Sequence, residues 1–151
     1  MLIPEIQKVF AKDLQKLKEE ISLYKNEATI WQVEKGIANS AGNLCLHLVG
    51  NLNHFIGATL GNTGYVRNRD AEFASKNIPQ HELIKMVEDT ISMIETVLPS
   101  IKEEQLAGEY PLIVFKDKMR TGYFLVHLVG HLGYHLGQIN YHRRLLENNF
   151  N

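Results

Sequence analysis

The sequence predicts an all-α protein that folds as a four-helix bundle, and three observations support this fold class. Four long segments carry apolar residues at the three- and four-residue spacing of an amphipathic helix. No set of alternating apolar and polar runs is large enough to build a sheet. The hydrophobic fraction is 44% with only 4 prolines, which argues against disorder. A chain of 151 residues can bury one core, so a single domain over 1–151 is expected.

The first two helices are predicted from their boundary residues. Pro4 is followed by apolar residues at helical spacing, with lysines and glutamates on the other face, and this predicts helix 1 over 4–25. Ser40 is a suitable N-cap for helix 2, which is predicted over 40–60. A glycine-containing turn that starts at Gly61 stops this helix.

Prolines bound the third helix, and the fourth helix is the longest. Pro79 opens helix 3, predicted over 79–98, and Pro99 ends it. Helix 4 is predicted over 119–147. The chain order of the four helices leaves connections at 26–38, 61–78 and 99–118.

Two of these connections, 61–78 and 99–118, are long for so small a bundle. Bundles with simple up-and-down order use short loops, whereas long connections usually carry function or cross the bundle. Within the second of them, the segment Tyr110–Phe115 is expected to be briefly extended.

Charge and cysteine content exclude several classes of function. The net charge is −1 and the isoelectric point is about 6.7, so the chain lacks the basic character of a protein that binds nucleic acid or an anionic membrane. Cys45 is the single cysteine and lies among leucines, which predicts a buried, inert thiol. Because no secretory signal and no apolar run of about 20 residues is present, we expect a soluble, cytoplasmic protein.

Helices 2 and 4 carry similar sequences. The segment Leu46–Leu52 resembles Val126–Leu132, which lies 80 positions further along the chain. Glycine inside a helix costs about 1 kcal/mol relative to alanine. Either glycine is tolerated in these helices or it allows close approach of their backbones, and we expect the second at Gly50, Gly57, Gly130, Gly133 and Gly137.

Five of the seven histidines lie in two short windows, at 47–54 and 127–135. His127, His131 and His135 follow one another at intervals of four, so neighbours share a helix face about 6 Å apart along the axis. The outer two are about 12 Å apart, too far for one ion with metal–nitrogen bonds of about 2.1 Å. One neighbouring pair must therefore act with a residue of another helix.

Helix 2 supplies two candidates for that residue, His47 and His54. They are about 10 Å apart along the helix axis, so only one of them fits the same site. The alternative is that each is a satisfied core histidine. The spacing of the histidines alone leaves open both this choice and the choice between the two pairs on helix 4.

Known metal-binding motifs limit the kinds of metal site that these histidines can form. A zincin needs Glu after the first histidine, but Leu132 follows His131. A ferritin-like di-iron site needs glutamates that the inward faces of helices 2 and 4 lack. A ligand set of histidines favours one divalent ion such as Zn²⁺, Ni²⁺ or Fe²⁺ over Mg²⁺ or Ca²⁺. Haem bound by two histidines in the bundle core is a further alternative.

Three segments together resemble the DinB/YfiT-like superfamily of metal-dependent proteins. The segment His131–Gln138 looks like the H-x3-H-x-G-Q signature of its last helix. His47, between two leucines, matches the histidine that the second helix of the family carries. The segment Arg67–Phe73 resembles a motif of one of its branches, so the resemblance covers nearly the whole chain.

This resemblance implies a fold and a ligand set. The fold is an up-down-down-up four-helix bundle that is frequently a homodimer, and the metal ligands are His47, His131 and His135. Some members of the superfamily are thiol S-transferases that use bacillithiol or mycothiol, and one branch is a thiol-dependent isomerase. A homodimer is also expected because helices 2 and 4 are apolar over much of their circumference.

A three-histidine metal with its fourth position open has the layout of a catalytic site, because structural zinc sites are usually closed by four protein ligands. The sequence therefore predicts a metal-dependent enzyme with a small-molecule substrate, either a transferase of a low-molecular-weight thiol or a hydrolase. Asp70 or Glu72 is predicted to act as the base, and Arg67 or Arg69 to hold an anionic substrate group. The alternative for this segment is a solvated polar loop.

A function of a different class also fits the pattern. A metal-stabilised bundle without catalysis would serve as an interaction or sensing module, and its metal site would be dry and closed. In either case Gln138, three positions after His135, and Asn51, four after His47, are predicted to orient the ligands.

Overall fold

The computed structural model describes residues 2–147, and in this part of the chain the regular structure is helical. The α-helices are α1 Ile3–Ser22, α2 Glu27–Ile30, α3 Ala41–Leu52, α4 Thr59–Gly61, α5 Arg69–Ala74, α6 Gln80–Val97, α7 Glu103–Ala107 and α8 Thr121–Glu147. A π-helical segment, Asn53–Ala58, joins α3 to α4, and a 3₁₀ turn, Leu98–Ser100, follows α6. The predicted all-α class is confirmed for these residues.

The predicted connections contain short helices that the sequence pattern did not reveal. α2 lies within 26–38, α5 within 61–78 and α7 within 99–118. The expected extended segment Tyr110–Phe115 forms no strand; a single antiparallel bridge pairs Glu109 with Arg120 instead. Segments of four to six residues are too short to show a helical period, which explains why they were missed.

The second predicted helix, 40–60, is interrupted by the π-helical segment. Its backbone carbonyls bond to side chains: the hydroxyl of Tyr110 donates to the oxygen of Phe55 at 2.6 Å, and that of Thr59 to the oxygen of His54 at 2.9 Å. Side chains that enter the backbone ladder of a helix are a known cause of such irregularities. The helix then ends at Gly61 because Asn62 adopts a left-handed conformation, with φ of 50°.

Helix α1 supplies one wall of the core. Its buried residues recur every three or four positions, and the helix packs against α6 and α8. The carboxylate of Glu20, on the same face, accepts hydrogen bonds from Arg143 Nε and Asn140 Nδ2 of α8, both at 2.7 Å. These polar contacts hold α8 against the C-terminal end of α1.

Helix α3 is buried on nearly all sides and begins at the predicted cap. The hydroxyl of Ser40 accepts a hydrogen bond from the backbone N–H of Asn43 at 3.2 Å. The side-chain amide of Asn43 donates to the carbonyls of Glu72 and Ser75, at 3.0 and 2.8 Å. Asn43 therefore fastens α5 to the start of α3. Cys45 is fully buried, and burial raises the pKa of its thiol to about 12, as predicted for an inert thiol.

The glycines of helices α3 and α8 differ in their surroundings. A side chain at Gly50 would overlap the carboxylate of Glu72, so glycine allows a close approach there. Gly130 and Gly137 have open space around the position of a Cβ, and the nearest atom to that position at Gly133 is 3.9 Å away. The predicted close approach is therefore wrong for these α8 glycines, because they lie on the exposed face of that helix.

Among residues 2–147, no helix combines the length and the apolar character that crossing a lipid bilayer requires.

Candidate metal centre

Three histidines from two helices converge on one point. One nitrogen each of His47 on α3, His131 on α8 and His135 on α8 lies within 4.8 Å of the others. The Nε2 atoms of His47 and His131 are 3.1 Å apart. Two nitrogens bound to one ion at about 2.1 Å with a tetrahedral angle would be roughly 3.4 Å apart, so this spacing suits a shared ion.

The three rings stand edge to face with one another. The centroids of His131 and His135 are 4.6 Å apart at 86°, and that of His47 lies 5.0 and 5.3 Å from them. Because neighbouring rings are nearly perpendicular, their nitrogens point inward without the rings overlapping. This arrangement leaves the centre of the triad to a small ligand such as a cation.

The ring of His47 is held by Glu72 of α5. Nδ1 of His47 lies 3.0 Å from the Oε1 of Glu72. A carboxylate can only accept, so Nδ1 carries the proton and Nε2 presents its lone pair to the triad. Nε2 can then accept a hydrogen bond from Nε2–H of His131 or bind a cation. Such carboxylate–histidine pairs are the usual way in which metal-binding histidines are oriented.

Glu72 is held in turn by Arg67 and by the backbone geometry of α5. Arg67 donates from Nε to Oε2 of Glu72 at 2.9 Å and from Nη2 to Oε1 at 3.0 Å. Asn68 caps the N-terminus of helix α5, because its side chain accepts a hydrogen bond from the N–H of Ala71 at 3.1 Å. Gly50 leaves room for the carboxylate against α3. Glu72 is therefore placed by three separate features of the chain: Arg67, the cap at Asn68 and the space at Gly50.

The Glu72 carboxyl is ionised at neutral pH. Burial would raise its pKa, but the hydrogen bonds from His47 and Arg67 outweigh burial and hold the pKa below its ordinary value. A buried carboxylate with both oxygens engaged carries its negative charge toward the triad. It thereby favours a cation bound beside His47.

The two α8 ligands are kept neutral by their surroundings. Burial, aided by the neighbouring His135 and His47, lowers the pKa of His131 to about 4. Burial also lowers the pKa of His135, and its Nδ1–H donates to Oε1 of Gln138 at 2.6 Å. Neutral imidazoles are the form that binds metals. The partner predicted for His135 is therefore the one found.

Two polar atoms beside the triad have no partner among the described residues. These are Nδ1 of His131 and Oδ1 of Asn51, both buried. Asn51 was predicted to orient the site, but its side chain makes no hydrogen bond to the triad. Buried polar atoms without partners are costly, so each calls for a ligand, a water or a shift of the side chain.

The remaining histidines have other environments. His127 packs between Phe115 and Phe124, with its ring centroid 6.3 Å from that of His131. His142 bonds through both nitrogens, to the hydroxyl of Tyr24 and the carbonyl of Gln32. Among residues 2–147 the group that could hold a metal ion consists of His47, His131 and His135 and does not include His127.

His54 and His81 lie outside that group as well. His54, in the π-helical segment, stands against Phe55 with ring centroids 4.8 Å apart. His81 is exposed in the first turn of α6. Neither contributes a nitrogen to the group of three histidines.

The predicted base residues occupy different positions. Glu72 lies at the triad, whereas Asp70 is exposed in the first turn of α5 and makes no side-chain hydrogen bond among the described residues. The network that joins His47, Glu72 and Arg67 was not predicted as such. The only local signal for it was the pairing of an arginine and a glutamate five positions apart in one connection.

Two cavities formed by the described residues reach the triad. The larger, about 590 Å³, is mostly apolar and touches His135 between α8 and the 34–39 segment. The smaller, about 310 Å³, touches His47 and His131 and is lined by Arg67 and Arg69. A ligand could therefore approach the triad from either side.

Comparison with known proteins identifies a family without assigning an activity. No curated protein matches the sequence. A family model described as protein of unknown function (DUF1572) matches residues 3–151, nearly the whole chain and all three histidines of the triad. On the extent of this match, the chain belongs to the DUF1572 family.

Proposed function

We propose that this protein binds one divalent metal ion at His47, His131 and His135 and uses it as an enzyme, either as a transferase of low-molecular-weight thiols or as a hydrolase. The observation that carries the proposal is the convergence of three imidazole nitrogens from two helices. Two of the three rings already have a partner that fixes the inward nitrogen as the free one.

The donor set fits a metal of intermediate softness. Three imidazole nitrogens, in a group that includes no carboxylate among the described residues, suit Zn²⁺, Ni²⁺ or Fe²⁺ better than Mg²⁺ or Ca²⁺. Three protein ligands leave a coordination position for a substrate. An ion held in this way lowers the pKa of a thiol or a water molecule toward neutrality.

Residues around the triad have separate roles in this proposal. Glu72 orients His47 and balances positive charge; both of its oxygens are engaged, which argues against a role as the mobile base. Arg67 keeps Glu72 in place. Asp70 remains a prediction as the base, and normal turnover by Asp70→Asn would remove it from the mechanism.

The two cavities at the triad favour an enzyme over the alternative of a closed, metal-stabilised interaction or sensing module. Such a module needs a metal site sealed from substrates, whereas cavities of about 590 and 310 Å³ adjoin His135 and His47. A small-molecule substrate fits the smaller of these volumes.

For this function we propose a single domain that folds as an up-down-down-up four-helix bundle of the DinB type. We also propose that the protein is cytoplasmic. The long helices α1, α3, α6 and α8 would form the bundle, and contacts of α1 with α6 and α8, and of α3 with α6 and α8, support this arrangement. One continuous cluster of buried apolar residues supports a single domain. The free, buried Cys45 suits a reducing compartment.

We also propose a homodimer that uses the outer face of α8. Five large apolar side chains on that helix are exposed: Tyr123, Val126, Tyr134, Tyr141 and Leu145. Large apolar side chains exposed along one helix suit an interface with a second copy of the chain.

Metal analysis of protein produced without a histidine tag tests the proposal. We expect about one equivalent of a divalent transition metal or zinc per chain, and turnover of an electrophile by an added thiol, or of a hydrolysable ester, only in the metal-loaded form. A metal-free protein that cannot be loaded would contradict the proposal. A Soret absorbance band would instead indicate haem.

A further inference from the structure

The smaller cavity beside the triad has a distinct chemical character. It measures about 310 Å³ and lies between α3, α8, the residues before α5 and the segment around Phe115. His47 and His131 form one end of it, so a molecule inside would meet the triad. Its walls combine aromatic rings with two arginines and one buried amide.

The cavity has a net positive charge from its arginines. The Nε and Nη2 atoms of Arg67 donate hydrogen bonds to Glu72, and its Nη1 makes no hydrogen bond among the described residues. Arg69 is exposed and rests over the ring of Phe73 at 5.3 Å, with no carboxylate paired to it in that part of the chain. Two arginines against one glutamate leave one positive charge, which suits one carboxylate in a ligand.

The buried amide of Asn51 calls for a hydrogen-bond donor. Asn51 is only 7% exposed, it lines this cavity, and its Oδ1 has no partner among the described residues. A carbonyl oxygen buried without a donor costs about 1–3 kcal/mol. A donor on a ligand in the cavity would remove that cost.

The rest of the wall is apolar. Phe55, Phe115 and Phe124 line the cavity, and Phe115 and Phe124 pack against His127. These rings would cover the carbon skeleton of a ligand and restrict its size. His127, which the triad excludes, is thereby a wall residue of this cavity.

We propose that this cavity binds a small molecule with one carboxylate, taken by Arg69 and Arg67, and with an adjacent N–H or O–H group that donates to Asn51. The reactive atom of the ligand then lies toward His47 and His131. This inference rests on the proposed function, because it names the class of substrate that the metal centre would receive.

Three matched thiols test this assignment on protein loaded with Co²⁺. N-acetylcysteine carries the carboxylate and the amide N–H, its methyl ester lacks the charge, and 3-mercaptopropionate lacks the acetamide. The charge-transfer absorbance of a thiolate bound to cobalt reports the affinity of each. We expect N-acetylcysteine to bind most tightly, with the ester and 3-mercaptopropionate each weaker by about fivefold or more.

Variants assign these differences to residues. Arg69→Gln should remove the preference for the acid over the ester, and Asn51→Leu should remove the preference for N-acetylcysteine over 3-mercaptopropionate. Arg144→Gln, an exposed arginine outside both cavities, should change neither. Equal binding of acid and ester by the unaltered protein would overturn the carboxylate assignment. If Asn51→Leu lost cobalt affinity but still preferred N-acetylcysteine to 3-mercaptopropionate, the role given to Asn51 would be overturned.

A second probe separates this inference from the proposed function. N-acetylalanine is the same molecule without sulfur, and its binding to zinc-loaded protein is read from the NMR shifts of the histidine rings. We expect it to bind more tightly than its methyl ester, and Arg69→Gln to abolish the difference. If no thiol reaches the cobalt while N-acetylalanine still binds in this way, the proposed thiol chemistry fails and the carboxylate site stands. Absence of N-acetylalanine binding would overturn the site.

Discussion

At the residue scale, the three histidines of the triad differ in what holds their second nitrogen. His47 donates to an ionised glutamate, His135 donates to the amide of Gln138, and Nδ1 of His131 has no partner among the described residues. The carboxylate makes the strongest contact, because charge-assisted hydrogen bonds exceed neutral ones. The metal affinity should therefore depend more on Glu72 than on Gln138.

Removing the charge of Glu72 should weaken metal binding while the fold persists. Glu72→Gln keeps the shape of the side chain but loses the charge that holds His47 and pairs with Arg67. Substitution of a residue that orients a metal ligand typically lowers the metal affinity by about 10- to 100-fold, and we expect a loss of that order here. Competition with a chelator measures the effect, and Glu82→Gln, an exposed glutamate of α6, is the control. Unchanged affinity would show that Glu72 does not orient the site.

Alanine substitutions distinguish the triad from its neighbour on α8. His47→Ala, His131→Ala and His135→Ala should each lose most of the bound metal, because two imidazoles rarely retain an ion that needs three. His127→Ala should keep the metal, since that ring packs against Phe115 and Phe124. Elemental analysis reads the result directly. Metal loss in His127→Ala with retention in His135→Ala would place the site one turn earlier on α8.

The remaining histidines serve as further controls for that experiment. His54, His81 and His142 lie outside the metal-binding group of the described residues, so alanine at each should leave the metal in place. His142→Ala is expected to lower stability, because both of its ring nitrogens are bonded.

At the scale of elements, α1 and α8 are joined by a buried ion pair. Glu20 is almost fully buried and accepts from Arg143 and Asn140. Burial would raise the pKa of Glu20, but the hydrogen bonds from Arg143 and Asn140 outweigh it and the pKa lies below the ordinary value of 4.5. The ionised form is therefore the one that the folded protein stabilises.

This pair predicts the direction of acid destabilisation. A carboxyl whose pKa is lowered by folding stabilises the protein fully above its unfolded pKa, near 4.5, and loses that contribution as the pH falls through the lower folded value. Glu20→Gln should cost about 2 kcal/mol at pH 7 and flatten the decline of the unfolding free energy below pH 4.5. The free energy of unfolding in urea, measured at about five pH values between roughly 3 and 7, tests this expectation. Glu19→Gln, at an exposed neighbouring residue, is the control. If the unfolding free energy of Glu20→Gln fell as steeply below pH 4.5 as that of the unaltered protein, the role given to Glu20 would be refuted.

At the scale of the whole molecule, the proposed homodimer rests on the exposed face of α8. Tyr134 and Tyr141 are 66% and 63% exposed, and Gly130 and Gly137 between and beside them leave open space. A second copy of the helix could approach closely along this face. The larger cavity, which touches His135 and Tyr141, would then lie at the edge of the interface.

We expect a dimer of about twice the chain mass of 17.3 kDa in light scattering. Tyr134→Arg should shift the protein toward the monomer, because a charge in an apolar interface is costly to bury. Leu23→Arg, at an exposed apolar residue after α1, should leave the mass unchanged. A monomer at working concentrations in the unaltered protein would exclude the proposed interface.

Local patterns in the sequence were enough to predict several features. The helix spans follow from residues three and four apart, and Ser40 acts as the cap that its position predicts. The shared face of His131 and His135 follows from their spacing of four, and Gln138 bonds to His135 because they lie one turn apart. All of these relations join residues within one helix, where geometry is set by the backbone itself.

The resemblance had implied that His47 acts with His131 and His135, but the contacts that bring these residues together are known only from the tertiary structure. His47 lies 84 residues from His131 and 25 from Glu72, and no local pattern shows which distant residues meet. The spacing of the histidines left His127 open as a ligand, and the packing of α3 against α8 is what turned His135 toward His47 instead. Glu72, predicted as a base, is bonded to His47 and Arg67 because the capped helix α5 carries it into the space that Gly50 leaves free. Contacts between distant segments depend on how whole helices pack, and that packing is a property of the entire core.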